Sequence, residues 1–164
     1  MAYLIDGNNF LGYASKTGLY HSGRNQLVQG LLKLIRIRHA RVRLVFDGPP
    51  DPSLAEFDDF HGKPLSISYP PPGSTADHVI QLILDKHTDR RTLTVVSSDK
   101  EVLDYARSKG AKLQTCPQFQ RTFRAAIRDF NNLQAEEKEA VTLSPLELNQ
   151  WIDVFESREK KDNG

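Results

Sequence analysis

The chain has 164 residues, with 22 Lys and Arg against 21 Asp and Glu, a formal charge of +1. That is enough chain for one domain with a real core, and the near-neutral balance excludes a strongly basic protein that wraps its partner by bulk charge while leaving local basic patches open. Cys116 is the only cysteine, so no intrachain disulfide forms; beside Pro117 it reads as a small buried apolar group rather than a reactive thiol.

In chain order, Ala2–Asp6 reads as a first strand. Gly7, Gly12, Gly18 and Gly23 then punctuate a stretch expected to be loop. Leu27, Leu31, Leu34 and Ile35 recur at helical spacing between about Gln26 and His39. Val42 to Phe46 is a second strand ending in Asp47-Gly48, and Pro49, Pro50 and Pro52 forbid regular structure after it. The loop to Gly62 has room for one helical turn around Leu54–Phe57, and it carries Asp51, Glu56, Asp58 and Asp59. Leu65, Ile67 and Tyr69 alternate as in a short strand.

The break at Pro70-Pro71-Pro72-Gly73 precedes a helix whose apolar face is Ala76, Val79, Ile80, Ile83 and Leu84. Leu93 to Val96 reads as a strand buried on both faces. A helix with Val102, Leu103 and Ala106 is closed by Gly110, and Ala111 to Thr115 is a fifth strand. A basic helix is expected over Pro117 to Phe130, then a polar, mobile segment over Asn131–Glu139. Ser144-Pro145-Leu146-Glu147 has the form of a helix start, with Trp151, Ile152 and Phe155 as its apolar face. Alternating strands and helices predict a three-layer α/β domain with a mostly parallel five-stranded sheet and helices on both faces. One domain over 1–156 and a charged, disordered tail over 157–164 are expected. No run approaches the ~20 apolar residues of a membrane span, and the opening is too short and uncharged for a signal peptide. A cytoplasmic address, with no membrane partner, is therefore expected.

Four aspartates stand where strands end or helices begin: Asp6 in YLIDGNN, Asp47 in VRLVFDG, Asp77 in GSTADHVI and Asp99 in TVVSSDKEV. Strand C-termini of such a sheet converge on one rim, where ligands bind. Like charges gathered there repel unless a cation lies between them, and a divalent, oxygen-loving ion such as Mg²⁺ is the simplest partner. Each has a bland reading. Asp6-Gly7-Asn8-Asn9 and Asp47-Gly48-Pro49 suit turns, and Ser74 with Asp77 and Ser98 with Glu101 suit capping boxes. Capping accounts for Asp77 and Glu101 but not for Asp6 or Asp47. Metal-dependent chemistry on phosphate esters is the reading that takes all four together.

With Asp6-Gly7-Asn8-Asn9 after the first strand, Phe46-Asp47 after the second, Thr75-Ala76-Asp77 with Ile80, Ser97-Ser98-Asp99 with Glu101, Gly110-Ala111 and the end containing Trp151, the chain resembles the YacP-like NYN family of the PIN-like ribonuclease superfamily. The likeness runs from Tyr3 to about Phe155. It implies strand order 3-2-1-4-5 and a Mg²⁺- or Mn²⁺-dependent endoribonuclease. It places Asp6, Asp77 and Asp99 in the metal site and gives Asn9 the orienting of a ligand or water. Asp47 would be a ligand or a supporting group. Asn8 stands where the family commonly has an aromatic residue, and either Glu101 or Asp104 would supply a further acid. Ser98 or Asn9 could bond a non-bridging phosphate oxygen.

For RNA, Arg121, Arg124 and Arg128 form one stripe of the basic helix, and Lys33, Arg36, Arg38, Arg41 and Arg43 a second run for which solvated surface is the favoured reading. Arg24 is the best single candidate near the rim. Phe10, Tyr13 and Tyr20 could stack on bases, with Phe10 alternatively in the core. His78, next to Asp77, could reach substrate; His21, His39, His61 and His87 are scattered, and no zinc site is expected. The partner would be RNA (mRNA, rRNA or tRNA), free or within a ribonucleoprotein such as the ribosome, with no nucleotide cofactor. A catalytically silent RNA- or ribosome-binding module of the same fold is the alternative. An aspartate-phosphatase reading lacks its second acid, because that position is Asn8, and a receiver-domain reading lacks its paired acids and late lysine.

Overall fold

Five strands, β1 (Ala2–Asp6), β2 (Arg41–Val45), β3 (Leu65–Ser68), β4 (Leu93–Val96) and β5 (Lys112–Gln114), form one wholly parallel sheet in the order β3-β2-β1-β4-β5, as the family likeness implies. β1 lies at its centre, with Asp6 beside Val45 of β2 and Ile5 beside Val96 of β4. The chain after β1, β2 and β4 therefore leaves the sheet along one rim. This computed structural model describes residues 1–17, 23–58, 62–141, 149–150 and 153–154. The chain forms two compact units, Met1–Phe130 and Asn131–Gly164.

Within the first unit, α1 (Gly7–Lys16), α2 (Arg24–Arg38) and the first turns of α5 (Cys116–Val141) cover one face of the sheet. Tyr3, Ile5, Val42, Leu44 and Ile67 of the strands meet Phe10, Leu27, Leu31, Phe119 and Phe123 there. Phe10 packs edge-on against Phe119 and Phe123, at 5.2 and 5.9 Å between ring centres. α3 (Ala76–Lys86) and α4 (Lys100–Ser108) cover the other face, where Leu4, Val45, Leu93 and Val95 meet Ala76, Ile80, Leu84, Val102 and Ala106. β4 is buried at all four positions, as a central strand covered on both sides must be.

Three expectations are corrected. The glycine-punctuated stretch after β1 is a helix over Gly7–Lys16, not a loop. Gly7, Phe10 and Ala14 bury one helical face, and Gly7 is required for close approach: a Cβ there would lie 2.6 Å from the Phe46 ring. The helix after β5 does not end at Phe130 but continues to Val141; in the second unit residues 131–140 are helical and all exposed, so they have no apolar face to signal helix. The caps also differ. Thr75, not Ser74, caps α3 by accepting the His78 N–H, and Asp99, not Ser98, caps α4 by accepting the Glu101 N–H. The expected helical turn at Leu54–Phe57 is a 3₁₀ segment over Pro52–Phe57. Ser144–Glu147, Trp151, Ile152, Phe155 and the tail over 157–164 lie outside the described residues, as do Tyr20, His21 and His61. No described helix is long and apolar enough to cross a membrane.

Candidate acidic site at the sheet rim

Asp6 ends the central strand and is only 4% exposed. Its Oδ2 accepts a hydrogen bond from Ser97 Oγ at 3.2 Å, and the same Oγ accepts the Asp99 N–H at 3.1 Å. Ser97 is fully buried directly after β4, so one hydroxyl joins the ends of β1 and β4. Asp6 and Asp99 thus share one side of the molecule. Asp99 is half-buried, and its Oδ1 accepts the Glu101 N–H at 2.9 Å. Asp47 reaches across from the end of β2, where its Oδ1 accepts the Ala76 N–H at 2.8 Å, at the first turn of α3. Asp77 is the next residue of that turn and is half-buried.

The charges feel one another. Burial, opposed by the Ser97 hydrogen bond and reinforced by Asp77 and Asp47, pushes the Asp6 carboxyl up to about 6. Partial burial and then the charges of Asp99, Asp47 and Glu101 raise Asp77. Of the two further acids, Glu101 is the one felt at Asp77, whereas Asp104 pairs with Arg107 at 3.0 Å. Even so, among the described residues no three carboxylate, imidazole or thiol groups sit close enough to form a ready-made metal shell. The donor chemistry is all oxygen, which suits a hard cation that keeps several waters and takes one or two carboxylates; it does not make a closed protein cage.

Asn9 braces the rim. Its Oδ1 accepts the Ser98 N–H at 2.7 Å and the Cys116 thiol at 3.1 Å, and Ser98 Oγ accepts the Cys116 N–H at 3.1 Å. Burial raises the Cys116 thiol above its usual range, in keeping with an inert thiol. Asn8 Oδ1 accepts the Asp47 N–H at 3.4 Å. Ser97 stands in the Ser97-Ser98-Asp99 motif, but the motif alone gives it no role. Its signal was the small hydroxyl residue immediately after a strand buried at every position, where an apolar residue is the default.

Arg24 does lie at the rim. Its guanidinium sits 4.4 Å from the centre of the Phe46 ring and donates to the Asp47 carbonyl at 3.0 Å. Arg121, Arg124 and Arg128 are exposed along α5, while Phe119, Phe123, Ala126 and Phe130 bury the opposite face. At 1.5 Å per residue they lie about 8 to 18 Å along the helix from Cys116, which is itself tied to the rim. Lys33 and Arg36 lie over Phe130, and Arg38 pairs with Asp129 at 2.9 Å, so much of the second basic run is structural. His78 is exposed. Phe10 is fully buried core, and Tyr13 packs against the same cluster.

A parallel α/β domain with carboxylates gathered at the C-terminal rim of β1, β2 and β4 is what the fold and site define. The chain belongs to the YacP-like NYN domain family, whose description matches residues 3–160. This is a nuclease-type, RNA-related fold. The crystal structure of Rae1 (YacP) from Bacillus subtilis superposes with a TM-score of 0.67 at 20% identity, covering 100% of this chain and 95% of that one. A single-residue mutant of the same protein gives 0.64 at 18%, covering 93% and 90%. At such identity the likeness establishes the fold. No curated protein matches this chain significantly.

Proposed function

We propose that the chain is a metal-dependent endoribonuclease that hydrolyses RNA phosphodiester bonds at this rim. The observation that carries the reading is the buried Asp6 carboxylate, fastened by Ser97 to the start of α4 and raised by burial and then by the charges of Asp77 and Asp47. A carboxylate kept against that cost, among Asp77, Asp47 and Asp99, is what a divalent cation would make tolerable. Asp6 and Asp77 would hold Mg²⁺ or Mn²⁺ directly or through waters, with Asp99 and Asp47 beside them and Glu101 in support. When bound, such an ion supplies charge neutralisation for the phosphate and an acidified water. The chain's own residues do the rest. Ser97 fixes the Asp6 carboxylate, Asn9 holds the turn before α4, and Asp47 ties the first turn of α3, which carries Asp77, to the end of β2. Ser98 stands beside the phosphate, Arg24 and His78 flank it, and Arg121, Arg124 and Arg128 take up neighbouring phosphates without reading sequence.

A second reading has an observation of its own. Oδ1 of Asp47, of Asp99 and of Asn9 each already accepts a backbone N–H, the behaviour expected of a catalytically silent RNA- or ribosome-binding module that keeps the scaffold. One experiment separates the two. Single-stranded RNA incubated with the protein and Mg²⁺ or Mn²⁺ is expected to be cut, EDTA to stop the cutting, and Asp77→Asn to lower the rate by about a hundredfold or more while the circular dichroism spectrum is retained. RNA that is bound but never cut with either ion would establish the silent module.

A further inference from the structure

Next to the acidic rim lies a cleft of about 290 Å³, walled by residues 48–50 on one side and 70–74 on the other. Five of its eight lining residues are proline and none is ionisable, which decides what it can take. A phosphate would find no cation there, but a flat, uncharged ring would find apolar walls. Both walls run into the site. The first starts beside Asp47, and the second leads through Thr75 to Asp77. The Asp47 Oδ1–Ala76 N–H bond at 2.8 Å ties the two segments together. The walls are also preformed. Proline fixes φ, and a turn closed by the Ser74 N–H on the Pro71 carbonyl at 3.0 Å, with Gly73 at φ 81°, fixes the second wall. A ligand entering this cleft does not have to order it.

Resting on the ribonuclease reading above, we infer that this proline-walled cleft takes one unpaired nucleobase flanking the phosphate presented to Asp6 and Asp77. The volume is at the low end for ligand pockets, room for a single base and not for a base pair. Bases that leave the stack are held between aromatic or apolar side chains, and only single strands, loops or bulges offer them freely. The substrate at the bond to be cut is therefore single-stranded.

The test is an abasic scan. Single-stranded oligoribonucleotides, each with one abasic ribose, are compared with the intact strand for dissociation constant and for kcat/KM with Mn²⁺, using wild type and a Pro50→Ser/Pro71→Ser variant; both prolines are exposed. For wild type, loss of the base at one position next to the cleaved bond is expected to weaken binding and cleavage about tenfold. The variant is expected to show that loss on intact RNA and no further loss on the abasic strand. Equal treatment of intact and abasic strands by wild type at every position overturns the inference, whether or not the variant folds. Full discrimination retained by a folded variant overturns it as well. If wild type cuts no RNA with either ion, the nuclease reading falls, and the same comparison of dissociation constants still decides the cleft. RNA that does not bind at all overturns both.

Discussion

Asp6 concentrates the chemistry of the rim in one side chain. Burial costs its ionised form more than the Ser97 hydrogen bond returns, so its pKa stands at about 6 instead of 3.8. A carboxyl that binds its proton more tightly when folded contributes stability that is complete below pH 3.8 and is lost as pH rises through about 6. Asparagine imitates the protonated form. Asp6→Asn is thus expected to be more stable than wild type by about 1–3 kcal/mol at pH 7.5 in EDTA, and no more stable below pH 4. Urea unfolding at the two pH values measures this. An Asp6→Asn variant less stable than wild type at pH 7.5 without metal would mean that the carboxylate is structurally favourable and its burial carries no functional signal.

At the scale of elements, most of the fold was legible because its periodicities are strong. β4 was readable from its continuous apolar run over Leu93–Val96, and α3 from the spacing of Ala76, Ile80 and Leu84. α1 was not. Its glycines read as punctuation, whereas Gly7 is there because β2 and its following Phe46 press against it, a tertiary fact with no local trace. The far half of α5 was missed for the opposite reason: residues 131–140 are exposed all round and give no 3.6-residue signal. Asp6, Asp47 and Asp99 were legible as strand ends and Asp77 as a helix start. Their occupied oxygens were not, since Asp47 bonding the Ala76 N–H 29 residues away can be seen only once the sheet is assembled. Gly7→Ala tests the packing argument directly. With its Cβ 2.6 Å from Phe46 and 2.9 Å from the Val45 carbonyl, it is expected to lower stability by about 1–3 kcal/mol, read as a lower thermal midpoint. An unchanged midpoint would show that the helix–sheet contact has slack.

At the scale of the whole molecule, a formal charge of +1 conceals a division of labour within the first unit: acids at the rim, and arginines along the exposed face of α5 that begins there. Such an arrangement needs phosphate contacts near the acids but not on them. Replacing Arg121, Arg124 and Arg128 together with alanine is expected to reduce the slope of log K for single-stranded RNA against log salt by about 2, with each change costing less than about 0.5 kcal/mol of stability. An unaltered slope would remove α5 from the interface. The central claim concerns the rim itself, and a calorimetric titration of Mn²⁺ into wild type and into Asp6→Asn and Asp77→Asn, all at pH 7.5, tests it most directly. Saturable binding by wild type that is lost in both folded variants is the predicted result. Wild type that takes up no Mn²⁺ at millimolar concentration, or variants that bind it as well as wild type, would contradict the account.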